Sequence, residues 1–439
     1  MIYFLYSLLL AAGLLLSLPY WIFQIVRHGK YRASLWERLG KVAERIATSG
    51  DKRPVIWVHA VSVGEVLAVS TLVAQMQKSM AQYRIVISTT TETGQALARK
   101  RFGEENVFYF PIDLGFAIRP YLKMLRPQLV VLAETEFWPN FLRLAHDGGA
   151  QIAVVNARIS DRSHPNYRRF RALWQRELAN IDLFLAQTER DADRLKSIGA
   201  DSTRVRVTGN LKFDQSVGTS PQIVERLRRS FADSGTILVC GSTVEGEEPL
   251  LLKVFKNVLE KHPRAVMLLA PRHPERFDAV AALVQSSGIP LWRRSQWNSE
   301  TIEGGIFLVD SIGELAALYA LADVAFVGGS LVPRGGHNII EPALHGVAIL
   351  VGEHTENFRD IVGLFQSHDA VRVASPEGFG AILMRLLADA AERAALGQRA
   401  AETMKSQIGA TDRTLEALAS LITGNEAKST PMAQVAHKD

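Results

Sequence analysis

VIWVHAVSVGEV, residues 55–66, is the stretch whose reading decides the fold. A strand-length apolar run, 55–59, gives way to small residues around Ser62 and Gly64, and over 66–76 the apolar positions recur at the helical period. Strand, small-residue turn and helix open a βα unit, and the same alternation continues outward from it. Further strand-length apolar runs lie at 84–89, 128–133, 151–156, 182–187 and 204–208, with a second set at 236–241, 265–270, 306–309, 324–328, 348–352 and 371–374. Helix-length spacers separate them, as parallel sheets require. The polar stretch 213–229, with Gly218 and Pro221, reads as a linker between the sets. At 439 residues the chain exceeds what one compact core usually fills. The expectation is an α/β chain of two six-stranded Rossmann-like domains, 54–217 and 218–425, followed by a disordered polar tail over 426–439.

Composition narrows the function classes. The single cysteine, Cys240, excludes an intrachain disulfide, and its place in an apolar run predicts a buried thiol. One cysteine and 11 histidines without paired spacing offer no zinc site. A net charge of +5 admits nucleic acid, a membrane surface or phosphorylated substrates. The placement of the charge selects a membrane and gives no support to nucleic acid. Residues 1–26 carry no charge, after which Arg27, Lys30, Arg32, Arg38 and Lys41 open a basic juxtamembrane segment over 27–53. The apolar run exceeds the roughly 20 residues that span hydrocarbon. It lacks the basic start of a signal peptide, and its basic flank belongs on the cytoplasmic side. Pro19, Tyr20 and Trp21 suit the inner interface. A single-pass anchor in the inner membrane, with the rest cytoplasmic, is the expectation; a helix lying in the interface is the alternative.

Ligands of open α/β sheets bind beyond the carboxyl ends of the strands. After the first strand, Ser62 and Gly64 precede a helix whose first-turn N–H groups suit an anion, and Glu65 stands there either as a dipole-favoured acid or as a general base. ETEFWPN, 134–140, places Glu134 and Glu136 beside Trp138, a pair of carboxylates whose pKa values should diverge, with an aromatic that is either a wall for a sugar or part of the core. Asn156 and Arg158 follow the next strand, with Arg162, Arg168, Arg169 and Arg171 close behind, forks for carboxylate or phosphate unless they simply line a solvated helix. Lys212 closes this half. In the second half GSTVEGEE, 241–248, brings Ser242 and Thr243 to another small-residue turn, without the GxGxxG or GK[ST] of dinucleotide and P-loop sites. Pro271 and Arg272, then Ile312, Gly313 and Glu314, then Gly328-Gly329-Ser330 leading through Gly335, Gly336, His337 and Asn338 to Glu341, supply what a nucleotide-sugar needs. That set offers a glycine-rich phosphate cradle, an arginine to neutralise charge and an acid for ribose hydroxyls.

Six ordered motifs, SVGE at 62–65, ETEFWPN at 134–140, NAR at 156–158, LKFD at 211–214, PRHPERF at 271–277 and GGHN at 335–338, give the chain a resemblance to the 3-deoxy-D-manno-octulosonic acid (Kdo) transferases. The resemblance covers nearly the whole chain. It implies a GT-B architecture with two domains facing a cleft, and an inverting transfer of Kdo from CMP-Kdo to a lipid A precursor such as lipid IVA in lipopolysaccharide assembly, without a metal or other cofactor. It places the general base on Glu65, transition-state stabilisers on Glu134 and Lys212 with Glu136 as neighbour, and CMP contacts on Pro271, Arg272, Ile312, Gly313, Glu314, Asn338, Ile339, Ile340 and Glu341. Val244 departs from the family's usual histidine and Glu353 from its usual proline. Two other readings stand beside this one: a membrane-associated GT-B transferase using a UDP-sugar, and a membrane-tethered nucleotide-binding protein without catalysis.

Overall fold

A computed structural model of the chain describes residues 2–28, 34–47, 50–214, 221–231 and 235–429. Lys30, Arg32, Gly218 and residues 430–439 of the expected tail lie outside them.

The chain forms two units, one of Met1–Gln215 with Gly409–Asp439, the other of Ser216–Ile408. In the first, Val55–His59 (β1), Arg84–Thr89 (β2), Val107–Tyr109 (β3), Pro127–Ala133 (β4), Gln151–Ala157 (β5), Leu183–Ala186 (β6) and Val205–Val207 (β7) make a sheet in the order β3-β2-β1-β4-β5-β6-β7. In the second, Ile237–Thr243 (β8), Val266–Pro271 (β9), Leu291–Arg293 (β10), Gly305–Leu308 (β11), Val324–Val327 (β12), Ala348–Gly352 (β13) and Arg372–Ala374 (β14) run in the order β10-β11-β9-β8-β12-β13-β14. All strand pairs are parallel. Each sheet therefore has seven strands where the apolar runs predict six. The additions, β3 and β10, are three-residue edge strands, too short to show a period.

Helices cover both faces of each sheet, which is why the strands are apolar on both sides. Trp57 is fully buried on one face of the first sheet, with ring centroids 4.9 Å from Phe141 and 5.2 Å from Phe108; Val58 faces the opposite core. Cys240 is buried, its thiol 3.5 Å from the Met267 sulfur. The linker reading needs correction, since Pro221–Ser230 is a helix whose Leu227 is fully buried in the second unit's core. The boundary near 425 moves as well. From Gly409 the chain returns to the first unit, where helix Ala410–Ser429 buries Ala410 and Leu418 against the first sheet. Its composition looks like that of any α/β helix, so only the packing partner reveals the return.

The strand order reverses between β1 and β4 in the first sheet and between β8 and β12 in the second. At such a reversal the two flanking loops leave in opposite directions and open a crevice.

Candidate active site

The first crevice is acidic with a basic border. Ser62 caps helix Val63–Ser79 and exchanges hydrogen bonds with Glu65: the Ser62 hydroxyl donates to Glu65 Oε1 at 3.0 Å, and the Glu65 N–H reaches back to Ser62 Oγ at 3.5 Å. Glu65 Oε2 also accepts the Val61 N–H at 2.8 Å, one residue before the cap, a variant of the capping box. Burial pushes the Glu65 carboxyl up to about 7, against the pull of the Val61 and Ser62 hydrogen bonds, with the negative charges of Glu134 and Glu136 adding to the rise. Gly64 is exposed beside it.

Glu134 leaves β4 in the left-handed backbone region, φ 56°, a strained position for a residue with a side chain. Its carboxylate meets Lys212 Nζ at 3.4 Å and Arg158 Nε at 3.8 Å. Burial also raises the Glu136 carboxyl. The Trp138 indole N–H approaches Glu136 without a well-formed hydrogen bond, and its ring packs on the core 6.0 Å from Phe110, which supports the core reading of that residue. Asn156, also left-handed at φ 54° and fully buried, accepts the Leu211 N–H at 3.0 Å. Gln187 donates to the Asn156 carbonyl at 2.9 Å and accepts from Asn210 at 3.0 Å, and Asn210 Oδ1 takes the Lys212 N–H at 3.0 Å. This chain of amides sets the backbone that presents Lys212, and Gln187 and Asn210 are its unforeseen members. Arg162, Arg168, Arg169 and Arg171 are solvated, as one of their two readings holds.

The second crevice is filled from within. Glu247, wholly buried, accepts N–H groups from Val244 at 3.0 Å, Gly329 at 2.8 Å, and Ser330 and Leu331 at 3.0 Å each. The loop 328–330 is thus no phosphate cradle, because its donors already hold a carboxylate. Thr243 is likewise occupied, donating to Glu248, whose carboxylate is gripped by Arg276 at 2.7 and 3.0 Å. Ser242 is half-buried at φ 55°, and a Cβ on the neighbouring Gly241 would lie 2.0 Å from the Tyr319 hydroxyl.

The polar groups left open stand one strand further along and on the loop after β12. Pro271 ends β9 and Arg272 is exposed beyond it. The Arg272 charge draws down the pKa of both His337 and Glu341; His337, chiefly through burial, falls to about 4, whereas burial holds Glu341 above its usual range. Gly335 and Gly336, at φ 87° and 75°, turn the chain so that Asn338 Oδ1 accepts the Ile340 N–H at 3.1 Å at the start of the short helix Ile340–Leu344. Ile339 and Ile340 are themselves core residues. Glu314 is held on both oxygens by Arg294, at 2.9 and 3.0 Å, and receives Ser311, so its carboxylate is engaged within the loop; Ile312 is 79% exposed and Gly313 left-handed at φ 89°.

Comparison with known proteins sets these crevices in a family. The profile of the 3-deoxy-D-manno-octulosonic-acid transferases (kdotransferase) matches residues 33–215, the stretch holding Glu65, Glu134, Arg158 and Lys212. A 3-deoxy-D-manno-octulosonic acid transferase of Haemophilus influenzae is 33% identical over 90% of this chain and 92% of its own length. The chain belongs to the Kdo transferases. One from Bordetella pertussis is 34% identical over 89% of this chain and 94% of its own. A glycosyltransferase of Rickettsia africae has the same fold, with a TM-score of 0.54 at 13% identity over 87% of this chain and 100% of that one. As a Kdo transferase the chain is a glycosyltransferase of GT-B architecture. The described residues contain no group of three or more His, Cys, Asp and Glu placed to hold a metal.

Proposed function

We propose that this Kdo transferase moves Kdo, with inversion, from CMP-Kdo to a hydroxyl of a lipid A precursor such as lipid IVA, with Glu65 as general base. The observation that carries the reading is the Glu65 carboxyl itself, poised at about 7 beside two further carboxylates. A base whose pKa sits near the working pH is half ionised there and still strong enough to take a proton. In the transfer the acceptor oxygen forms a bond to the anomeric carbon of Kdo, Glu65 takes the hydroxyl proton, and the bond to the CMP phosphate breaks with its electron pair leaving on phosphate. Glu134 stabilises positive charge developing on the sugar, while Lys212 and Arg158, which pair with that carboxylate, attract the acid group of Kdo. Burial keeps Glu65 basic, and the charges of Glu134 and Glu136 add to that.

The second unit holds the nucleotide, with Arg272 on the phosphate and the loops 312–314 and 338–341 on the cytidine. Arginine neutralises the leaving phosphate, so the reaction proceeds without a metal. A lipid acceptor accounts for the anchor, and the basic segment 27–53 suits the anionic cytoplasmic leaflet, which puts the globular units on that side. Incubation with radiolabelled Kdo, CMP-Kdo synthetase, CTP and a lipid A precursor should give labelled lipid, undiminished by EDTA once CMP-Kdo has been formed. Labelled lipid from a UDP-sugar in place of CMP-Kdo would overturn the assignment.

A further inference from the structure

We propose that the N-terminal helix lies in the plane of the membrane interface, with both of its ends on the side of the globular chain, and does not cross the bilayer. By length and composition Ile2–Phe23 is apolar enough to span. A spanning helix, however, carries its first turns away from the compartment that its last turns enter. At about 1.5 Å per residue, Ser7 would stand roughly 30 Å from Arg27, near the far leaflet.

The structure places Ser7 elsewhere. Its hydroxyl accepts a hydrogen bond from Asn140 Nδ2 at 3.0 Å. Asn140 is 2% exposed and sits in the first turn of helix Pro139–Asp147; it also donates to the Asp113 carbonyl at 2.7 Å, while the Asp113 carboxylate accepts the Asn140 and Phe141 N–H groups. One turn nearer the chain's start, the Tyr3 ring lies under the guanidinium of Arg143, 4.6 Å from its centroid, and of Arg176 at 5.8 Å. These partners belong to a folded α/β unit whose loops cannot sit at hydrocarbon depth facing lipid. The docking and a transbilayer helix are therefore incompatible.

The exposure pattern along the helix agrees. Tyr3, Ser7, Leu10, Leu14, Ser17 and Trp21, spaced three and four apart on one side, are half-buried. The other faces are bare, with Leu9 65%, Leu15 69% and Leu16 84% exposed. A helix with most of its leucines facing outward and Tyr3, Ser7 and Ser17 turned inward is built to sink sideways into the headgroup and acyl boundary. Arg27 at one end and Arg176 at the other, both exposed, would meet anionic headgroups.

Labelling of the full chain in bacterial inner membranes with a membrane-impermeant maleimide tests this, with Cys240 buried and the unsubstituted chain as blank. Ile2→Cys should label in inverted vesicles, as a Lys52→Cys control does, and not in intact spheroplasts. The pair Ser7→Cys with Asn140→Cys should also cross-link under mild oxidation in the membrane-bound chain. Labelling of Ile2→Cys from outside, or failure of the cross-link in chain that has retained its fold, overturns the proposal.

Discussion

Ser62 and Glu65 close the first turn of their helix by exchanging hydrogen bonds, and the same closure buries the Glu65 carboxyl near two other acids. Glu65→Ala should lower transfer by about 10²–10⁴-fold, the usual contribution of a general base, while calorimetry finds CMP affinity nearly unchanged. Because only ionised Glu65 accepts a proton, kcat/KM should rise with pH through about 7 and level off above it. A profile flat from pH 5 to 8 would remove Glu65 from that role. Glu247 serves the opposite end. Glu247→Ala leaves four buried donors unmatched, and at roughly 1–3 kcal/mol for a buried group left unpaired it should cost about 3 kcal/mol or more, read as an earlier urea midpoint of the second unit. Glu65, Glu134 and Lys212 could be picked out as candidates because each stands just beyond a strand, while their roles came only with the family resemblance. Glu247 could not, since three of its donors come from 82 to 84 residues further along the chain.

At the scale of elements, the motif LKFD does more than present Lys212. Asp214 accepts the Gly409 N–H at 2.8 Å and the Thr411 N–H at 2.5 Å, so it caps the returning helix Ala410–Ser429. Asp214→Ala should cost about 0.5–2 kcal/mol, the usual loss for a helix cap, measured as reduced stability of the first unit and faster hydrogen exchange over 410–414. The long strands of both sheets were readable from apolar runs, for burial on both faces leaves a continuous signature. β3 and β10 escaped because three residues at a sheet edge carry no such signature, and helix Pro221–Ser230 because its polar face gives it the look of a linker.

For the whole molecule, continuity of chain separates the two units. Ser216–Ile408 is one unbroken segment, whereas the first unit needs both termini of the chain. A fragment 216–408 should fold and bind CMP with an affinity close to that of the full chain. A fragment 1–215 should not fold stably, because it lacks the helix that buries Ala410 and Leu418 against the first sheet. A cooperative unfolding transition in fragment 1–215 would contradict this. By itself the sequence determined the α/β class, the order of the strands along the chain and the sheet edges where chemistry belongs, because period and position beyond a strand are local properties. Only the tertiary structure decided which acids are open to a substrate. Glu65 and Glu247 both stand at a helix start after a small-residue turn. One is left with the charges of Glu134 and Glu136 as neighbours and keeps its proton near neutrality, while the other is wrapped by four N–H groups and serves the fold. Those neighbours arrive from distant strands, and nothing local records them.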